Sequence, residues 1–203
     1  PPRSTLFPYT TLFRSSRSTS PLSIQSQSDY PCIADFNITS DGIQKLLQNL
    51  KIHKAPGPDE LSPQLLKSVA AEVSPILKMI FDSSLEQGCV PDDWKHAKVS
   101  PIFKKGDREK AENYRPVSLT SVVCKVMEHI LCSQINCHLE MHGILCDPQH
   151  GFRQRRSCET QLISTLTDFV NTIEEKGQCD VILLDFSKAF DKVSHSLLLQ
   201  KLH

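Results

Sequence analysis

The stretch VILLDFSKAFDKVSH, Val181 to His195, decides how the rest of the chain is read. Val181, Ile182, Leu183 and Leu184 are apolar on both alternating faces, which predicts a central strand over 180–186, covered on both sides. Asp185 closes that run and shares a face with Val181 and Leu183. A carboxylate there is costly unless it is paired, hydrated at a cleft or bound to a metal. Asp191 follows past a turn. Taken alone, the two carboxylates have a plainer reading, in which Asp185 ends a strand at the surface and Asp191 favours a helix start. The company that the strand keeps decides between the two.

Working outward, a short helix is expected to begin near Ser194. On the other side, Glu159 to Glu175 reads as a helix with Leu162, Ile163, Leu166, Phe169, Val170 and Ile173 on one side. A longer helix, Thr120 to about His142, carries Val122, Val123, Val126, Met127, Ile130, Leu131, Ile135 and Leu139 and ends at Gly143. Both stripes are expected to be core. Lys95 to Lys104 reads as a strand, and the polar tip GDREKAEN returns the chain to Tyr114–Leu119 as a long hairpin. Pro101 and Pro116 favour its edges or bulges. Upstream, Ser62-Pro63 and Ser74-Pro75 each read as a helix cap followed by proline at the first helical position. The second of these helices carries Ile76, Leu77, Ile80, Phe81 and Leu85 and ends at Gly88. The loop HKAPGPDE precedes them, because Pro56, Gly57 and Pro58 cannot continue a helix. Ahead of that loop, Ser40 is placed to cap a helix with Ile43, Leu46, Leu47 and Leu50 on one face. The pattern is α+β, helix-rich and without internal repeats.

Composition bounds what such a chain does. With 203 residues, 39% hydrophobic and 23% charged, it has the makings of an ordinary globular domain or part of a larger one. No apolar run approaches the roughly 18 residues that a membrane span needs. The formal net charge is zero, which weighs slightly against nucleic-acid binding, but the distribution is uneven. Between Lys95 and Arg115 there are 7 Lys/Arg against 3 Asp/Glu, and Arg153, Arg155 and Arg156 form a second basic cluster. The simplest reading of either cluster is a solvated face. The 8 cysteines include no CxxC pair, so no zinc site is expected, and reduced, mostly buried thiols are.

Residues 1–28 contain no acid and are rich in Ser, Thr and Arg, a composition similar to that of an organellar transit peptide. A sharper explanation is that Thr5 to Ser15, TLFPYTTLFRS, resembles the in-frame translation of a sequencing-adapter oligonucleotide. The chain opens on Pro1 rather than Met, which fits the conceptual translation of an assembled transcript. The segment is therefore expected to be artefactual and disordered, with 29–39 a linker.

Four blocks from residue 40 onward carry a family resemblance. They are KAPGPDELSPQLLK (Lys54–Lys67), VSPIFKKGDREKAENYRPVSLTSVVCKVMEHIL (Val99–Leu131), QHGFRQRRSCETQL (Gln149–Leu162) and VILLDFSKAFDKVSH (Val181–His195). In this order and spacing the chain resembles the reverse transcriptase domain of non-LTR, LINE-type retrotransposons of the jockey and CR1-like style. The resemblance implies the fingers and the start of the palm of a right-hand polymerase, incomplete, with fingers over 40–175 and palm over 180–203. It implies transfer of a deoxynucleotide to a primer 3′-hydroxyl on an RNA template. It further implies two Mg²⁺ ions, for which Asp185 is the catalytic carboxylate and the Phe186 carbonyl a further ligand.

Other roles follow by position. Phe190 matches the aromatic residue that stacks under the nucleotide sugar. Lys104 and Arg115 match fingers residues that neutralise the triphosphate, with Lys105 able to replace Lys104. Arg153 matches a block lining the template path, and Arg155 and Arg156 are candidate phosphate contacts. Asp191 and His195 match family positions for which structural work, such as helix capping, is expected. Partners would be RNA template, DNA primer and deoxynucleoside triphosphates, with no membrane, in the cytoplasm and nucleus. The family's second aspartate motif and its glycine-containing block are not found before His203, so the polypeptide alone is expected not to polymerise and to expose apolar surface. Two rival readings are a non-catalytic nucleic-acid-binding fragment and a retrotransposon relic without function.

Overall fold

The computed structural model describes residues 6–8, 30–186 and 189–202, with the backbone alone at 6–8, Asp191 and Lys201. Two compact units emerge, one of Pro1–Arg14 with Ala34–Gln134, the other of Ser15–Ile33 with Ile135–His203. The division falls inside a helix.

The first unit holds the described core. Helix α1, Ser40–Gln48, is capped one residue earlier than expected, because Thr39 Oγ1 accepts from the Gly42 N–H at 3.1 Å and Ser40 joins the first turn. Its apolar face packs into the core, with Ile43 and Leu47 fully buried and Leu46 and Leu50 partly so. Helix α2, Pro63–Ser68, follows the expected cap: the Ser62 hydroxyl accepts from Leu65 N–H at 3.1 Å, and Pro63 occupies the first turn, where its missing N–H costs nothing. Helix α3, Ala70–Gln87, corrects the second expected cap, since it runs unbroken through Pro75. Ser74 is buried and its hydroxyl donates to the Ala70 carbonyl within the helix. The carbonyl that Pro75 leaves without a donor belongs to Ala71, which is exposed and reachable by water. Gly88 ends α3 at φ 59°, where Cys89 N–H also reaches back to Ser84 O at 3.0 Å.

A short 3₁₀ turn, Asp92–Lys95, then sets Trp94 edge-on against Phe81, with ring centroids 5.8 Å apart. Strands β2 (His96–Phe103) and β3 (Tyr114–Leu119) form the expected antiparallel hairpin, in register from Lys98↔Leu119 to Phe103↔Tyr114. Pro101 and Pro116 face one another, so both missing donors fall at one rung. Strand β1, Leu6–Pro8, lies antiparallel on the outer edge of β2, giving the order β1-β2-β3. Those three residues are the part of the head expected to be disordered that the structure describes, and the remainder of 1–28 lies outside the described residues. Helix α4, Val122–Met141, is capped by Ser121 Oγ, which accepts from Val123 N–H at 3.2 Å. Its first half closes the core: Val122, Val123, Val126 and Met127 are buried against Ile38, Leu66, Ala70, Leu77 and Phe81. Cys124 is buried there too, and burial, helped by the neighbouring Glu128 carboxylate, pushes its thiol up to about 12. The other 7 cysteines are exposed, which corrects the expectation of mostly buried thiols.

The second unit contains the end of α4, helix α5 (Cys158–Glu174) and helix α6 (His195–Leu202). Ser157 and Thr160 cap α5 reciprocally. Its apolar stripe, expected to be core, is exposed: Leu162, Ile163, Leu166, Val170 and Ile173 all stand open, because no described element of the unit packs over them. The expected strand over 180–186 is corrected in the same way. The segment pairs with no strand among the described residues, and Leu183 is 91% exposed. A strand exists only through a hydrogen-bonded neighbour, and composition cannot supply one. No described helix is long and apolar enough to cross a membrane.

Candidate functional site

The β2–β3 hairpin presents Lys104 and Arg115 together. Arg115 is cross-strand partner to Ile102, and Lys104 N–H donates to Asn113 O at 2.8 Å, extending the register by one rung. With a period of two, Lys104 and Arg115 fall on one face as diagonal neighbours, roughly 7–8 Å apart. Both are exposed. The opposite face is braced: Phe103 and Tyr114 meet edge-to-face at 5.5 Å, Arg108 lies 5.1 Å over the Phe103 ring, and Tyr114 Oη donates to Arg108 O at 2.9 Å. The tip folds tightly as well. Gly106 sits at φ 89°, and Asn113 Nδ2 donates to Asp107 O at 2.7 Å. One face of the hairpin is thus a lock, and the other carries two cations toward solvent. Lys105 lies past the last rung.

In the second unit, Arg153 is held rather than free. Its Nε and Nη2 donate to the two carboxylate oxygens of Glu140 at 2.8 and 2.6 Å, and Nη1 donates to Cys146 O at 2.9 Å. The Arg153 guanidinium holds the Glu140 carboxyl below the usual carboxylate range, chiefly through that hydrogen bond, and Arg153 itself is raised in return. Arg156 donates to Asp147 O at 2.9 Å and to its carboxylate at 3.2 Å. Arg155, by contrast, is exposed and has no hydrogen bond or ion pair among the described residues. The structure also brings Phe190, 78% exposed, against Phe152, with ring centroids 6.0 Å apart and planes at 82°.

Asp185 and Phe186 are exposed on the unpaired segment. Among the described residues no group of three His, Cys, Asp or Glu side chains is placed to hold a metal ion. Asp185 belongs to no such group, so these residues do not by themselves fit a divalent-ion site, which draws its oxygen ligands from several groups. His195 opens α6, and the Ser194 carbonyl, not His195, accepts the first helical bond from Leu198 N–H at 3.0 Å. The side chain of Asp191 lies outside the described residues.

The family described as "Reverse transcriptase (RNA-dependent DNA polymerase)" matches residues 102–203, just over half of the chain, from the hairpin through Asp185 to the last residue. The chain belongs to the reverse transcriptase family. Among its relatives is a "Probable RNA-directed DNA polymerase from transposon BS" of Drosophila melanogaster, 30% identical over 165 residues, which are 81% of this chain and 18% of that protein. An "RNA-directed DNA polymerase from mobile element jockey" of the same fly is 29% identical over the same shares. A "Probable RNA-directed DNA polymerase from transposon X-element", also from D. melanogaster, is 31% identical over 145 residues, 70% of this chain and 16% of that protein. This reverse transcriptase chain thus spans about a fifth of the length of the relatives it matches.

Three features of this reverse transcriptase chain escape a reading of the sequence. Gly57, in KAPGPD, is buried with its Cα so close to the start of α4 that an added Cβ would lie 2.6 Å from Ser121 N. The signal was present, a glycine between two prolines, but its partner is 64 residues away and invisible to local pattern. Leu50, Lys51, Ile52, His53, Lys54 and Lys67 line one depression, a basic cluster assembled from a loop and α2. Glu140, the partner of Arg153, reads in the sequence as one more polar residue of α4.

Proposed function

We propose that the chain contributes the fingers and the start of the palm to an RNA-directed DNA polymerase that extends a primer on an RNA template. The observation that carries this reading is the shared hairpin face of Lys104 and Arg115. Two cations on a locked hairpin suit the triphosphate of an incoming deoxynucleotide, and the planar Arg115 guanidinium can take a phosphate by two donors. In this reading Phe190 stacks under the nucleotide sugar, and Asp185, with the Phe186 carbonyl, supplies part of the oxygen set for Mg²⁺. One carboxylate does not hold that ion, so the step assigned to these residues is binding and charge neutralisation of the nucleotide.

The test is primer extension on a primed RNA template with deoxynucleoside triphosphates, using residues 40–203 joined to the rest of the polymerase domain of the jockey relative. Arg115→Ala is expected to raise the nucleotide KM about tenfold or more, the scale of one lost charge-assisted contact of roughly 1.5–3 kcal/mol. Asp185→Asn is expected to abolish extension, and the 203-residue chain alone to show none. Wild-type rates in the Asp185→Asn chimera would overturn the assignment.

A further inference from the structure

Two of the chain's 8 histidines, His138 and His142, stand one helical turn apart at the end of α4, outside the nucleotide-binding face proposed above. His142 N–H donates to the His138 carbonyl at 3.1 Å, so the helical relation carries on just past Met141. Side chains four apart share one face of a helix, and here the two rings meet, with centroids 4.6 Å apart and planes tilted by 57°. His138 is half-buried and His142 is exposed. Neither ring has a hydrogen-bond or ion-pair partner among the described residues.

The backbone that carries the rings is closed. Gly143 turns the chain at φ 60°, its N–H donating to Glu140 O at 3.2 Å while Ile144 N–H donates to Leu139 O at 2.9 Å. Those two bonds fix the helix end. Glu140, between the histidines in sequence, is engaged by Arg153 through both carboxylate oxygens. What is left on this turn is a pair of imidazoles with no described partner but each other.

Their spacing suits chelation. An imidazole nitrogen binds zinc at about 2.0–2.1 Å, so two rings sharing one ion stand with centroids roughly 4.5–5 Å apart. The observed separation falls in that range with no change of backbone. The negative end of the helix dipole favours a cation at the same place. Imidazole suits zinc, copper and nickel, whereas Mg²⁺ takes oxygen ligands. The lack of a CxxC pair speaks against a thiolate cage, not against two imidazoles one turn apart.

We propose that His138 and His142 form a two-imidazole clamp for a divalent transition-metal ion of the zinc and nickel class. No third His, Cys, Asp or Glu is grouped with them among the described residues, so water completes the coordination. The ion bridges consecutive turns and holds the end of α4 against fraying. This site is separate from the oxygen set that the polymerase reading gives to Mg²⁺, and independent of it.

The experiment is calorimetric titration of the full 203-residue chain, without a polyhistidine tag, with zinc chloride and with nickel chloride at about pH 7.5, where imidazole is largely deprotonated. Exposed thiols are first capped with N-ethylmaleimide, so that sulfur does not compete for the metal. The wild type is expected to bind a single equivalent of either metal, and magnesium chloride is expected not to displace it. His138→Gln and His142→Gln are each expected to lower the affinity roughly 10–100-fold or more, with helix content by circular dichroism unchanged.

Magnetic resonance of the wild type gives a second measurement that needs no variant. Zinc is expected to shift the imidazole nitrogens of His138 and His142 together, leaving His129 and His150 in place. It is also expected to slow amide exchange at His142, Gly143 and Ile144, whose N–H groups close the helix. A wild type that binds neither metal overturns the inference. So do variants that bind as tightly as wild type, or zinc shifts spread evenly over all 8 histidines. None of these outcomes bears on primer extension in the chimera, which tests the polymerase reading alone.

Discussion

Single residues carry different burdens in the two units. Gly57 is needed for space, not for backbone freedom: any side chain there meets the backbone of Thr120 and Ser121. Gly57→Ala is accordingly expected to destabilise the chain by about 1–3 kcal/mol, the range for overpacking a close contact. Urea denaturation followed by far-ultraviolet circular dichroism measures it, and an unchanged midpoint would mean that the KAPGPD loop does not dock on α4. Arg115 and Lys104 illustrate the reverse situation. No hydrogen bond or ion pair among the described residues holds their charged ends, and in the proposed polymerase reading their value lies in being presented on the hairpin. Arg153 looked like a member of the same class in the sequence, and the structure gives it internal partners instead.

At the scale of elements, the hairpin and loop 144–157 are stabilised by different forces. The hairpin is locked by aromatic packing on one face. The loop depends on Glu140, whose carboxyl is held below its usual value by Arg153. A depressed folded-state value means that the contribution is complete above the unfolded carboxylate range, about 4.3. It is lost as pH falls through the folded value, when Glu140 takes a proton and Arg153 keeps its charge. Hydrogen exchange in 144–157 is therefore expected to be slower in wild type than in Glu140→Gln at pH 7, with the difference closing below about pH 4.5. A difference that persists undiminished at pH 3 would show that the pair does not hold the loop.

For the whole molecule, what is buried and what is open follows the division into units. The described core lies in the first unit, where α1, α3 and the first half of α4 cover Phe81 and Leu47 from several sides. In the second unit, the stripe of α5 and the run Val181–Leu184 remain open, a set of apolar side chains of the kind that drives association or binding. The chain is expected to enhance the fluorescence of anilinonaphthalene sulfonate and to sediment as larger species with rising concentration. Leu166→Lys with Ile173→Lys is expected to reduce both effects with helix content unchanged. A monomer that leaves the dye dark at all concentrations would contradict the exposure of that face.

Local pattern was sufficient wherever the deciding interactions were local. The Ser62-Pro63 start of α2, the Gly88 and Gly143 ends, the hairpin turn and the reach of α4 and α5 all depend on neighbours within a few residues, and the sequence alone determined them. So did membership of the reverse transcriptase family, which rests on the order of short blocks. Burial was decided only by the tertiary structure, because an apolar stripe states what a helix would cover and not whether anything is there to be covered. That is why the stripe of α1 is core and the similar stripe of α5 is open. Asp185 marks the same limit: its residue type and position were readable, but a strand and a metal site each need partners. The run Val181–Leu184 finds no partner strand, and Asp185 joins no group of three metal-ligating side chains, among the residues described.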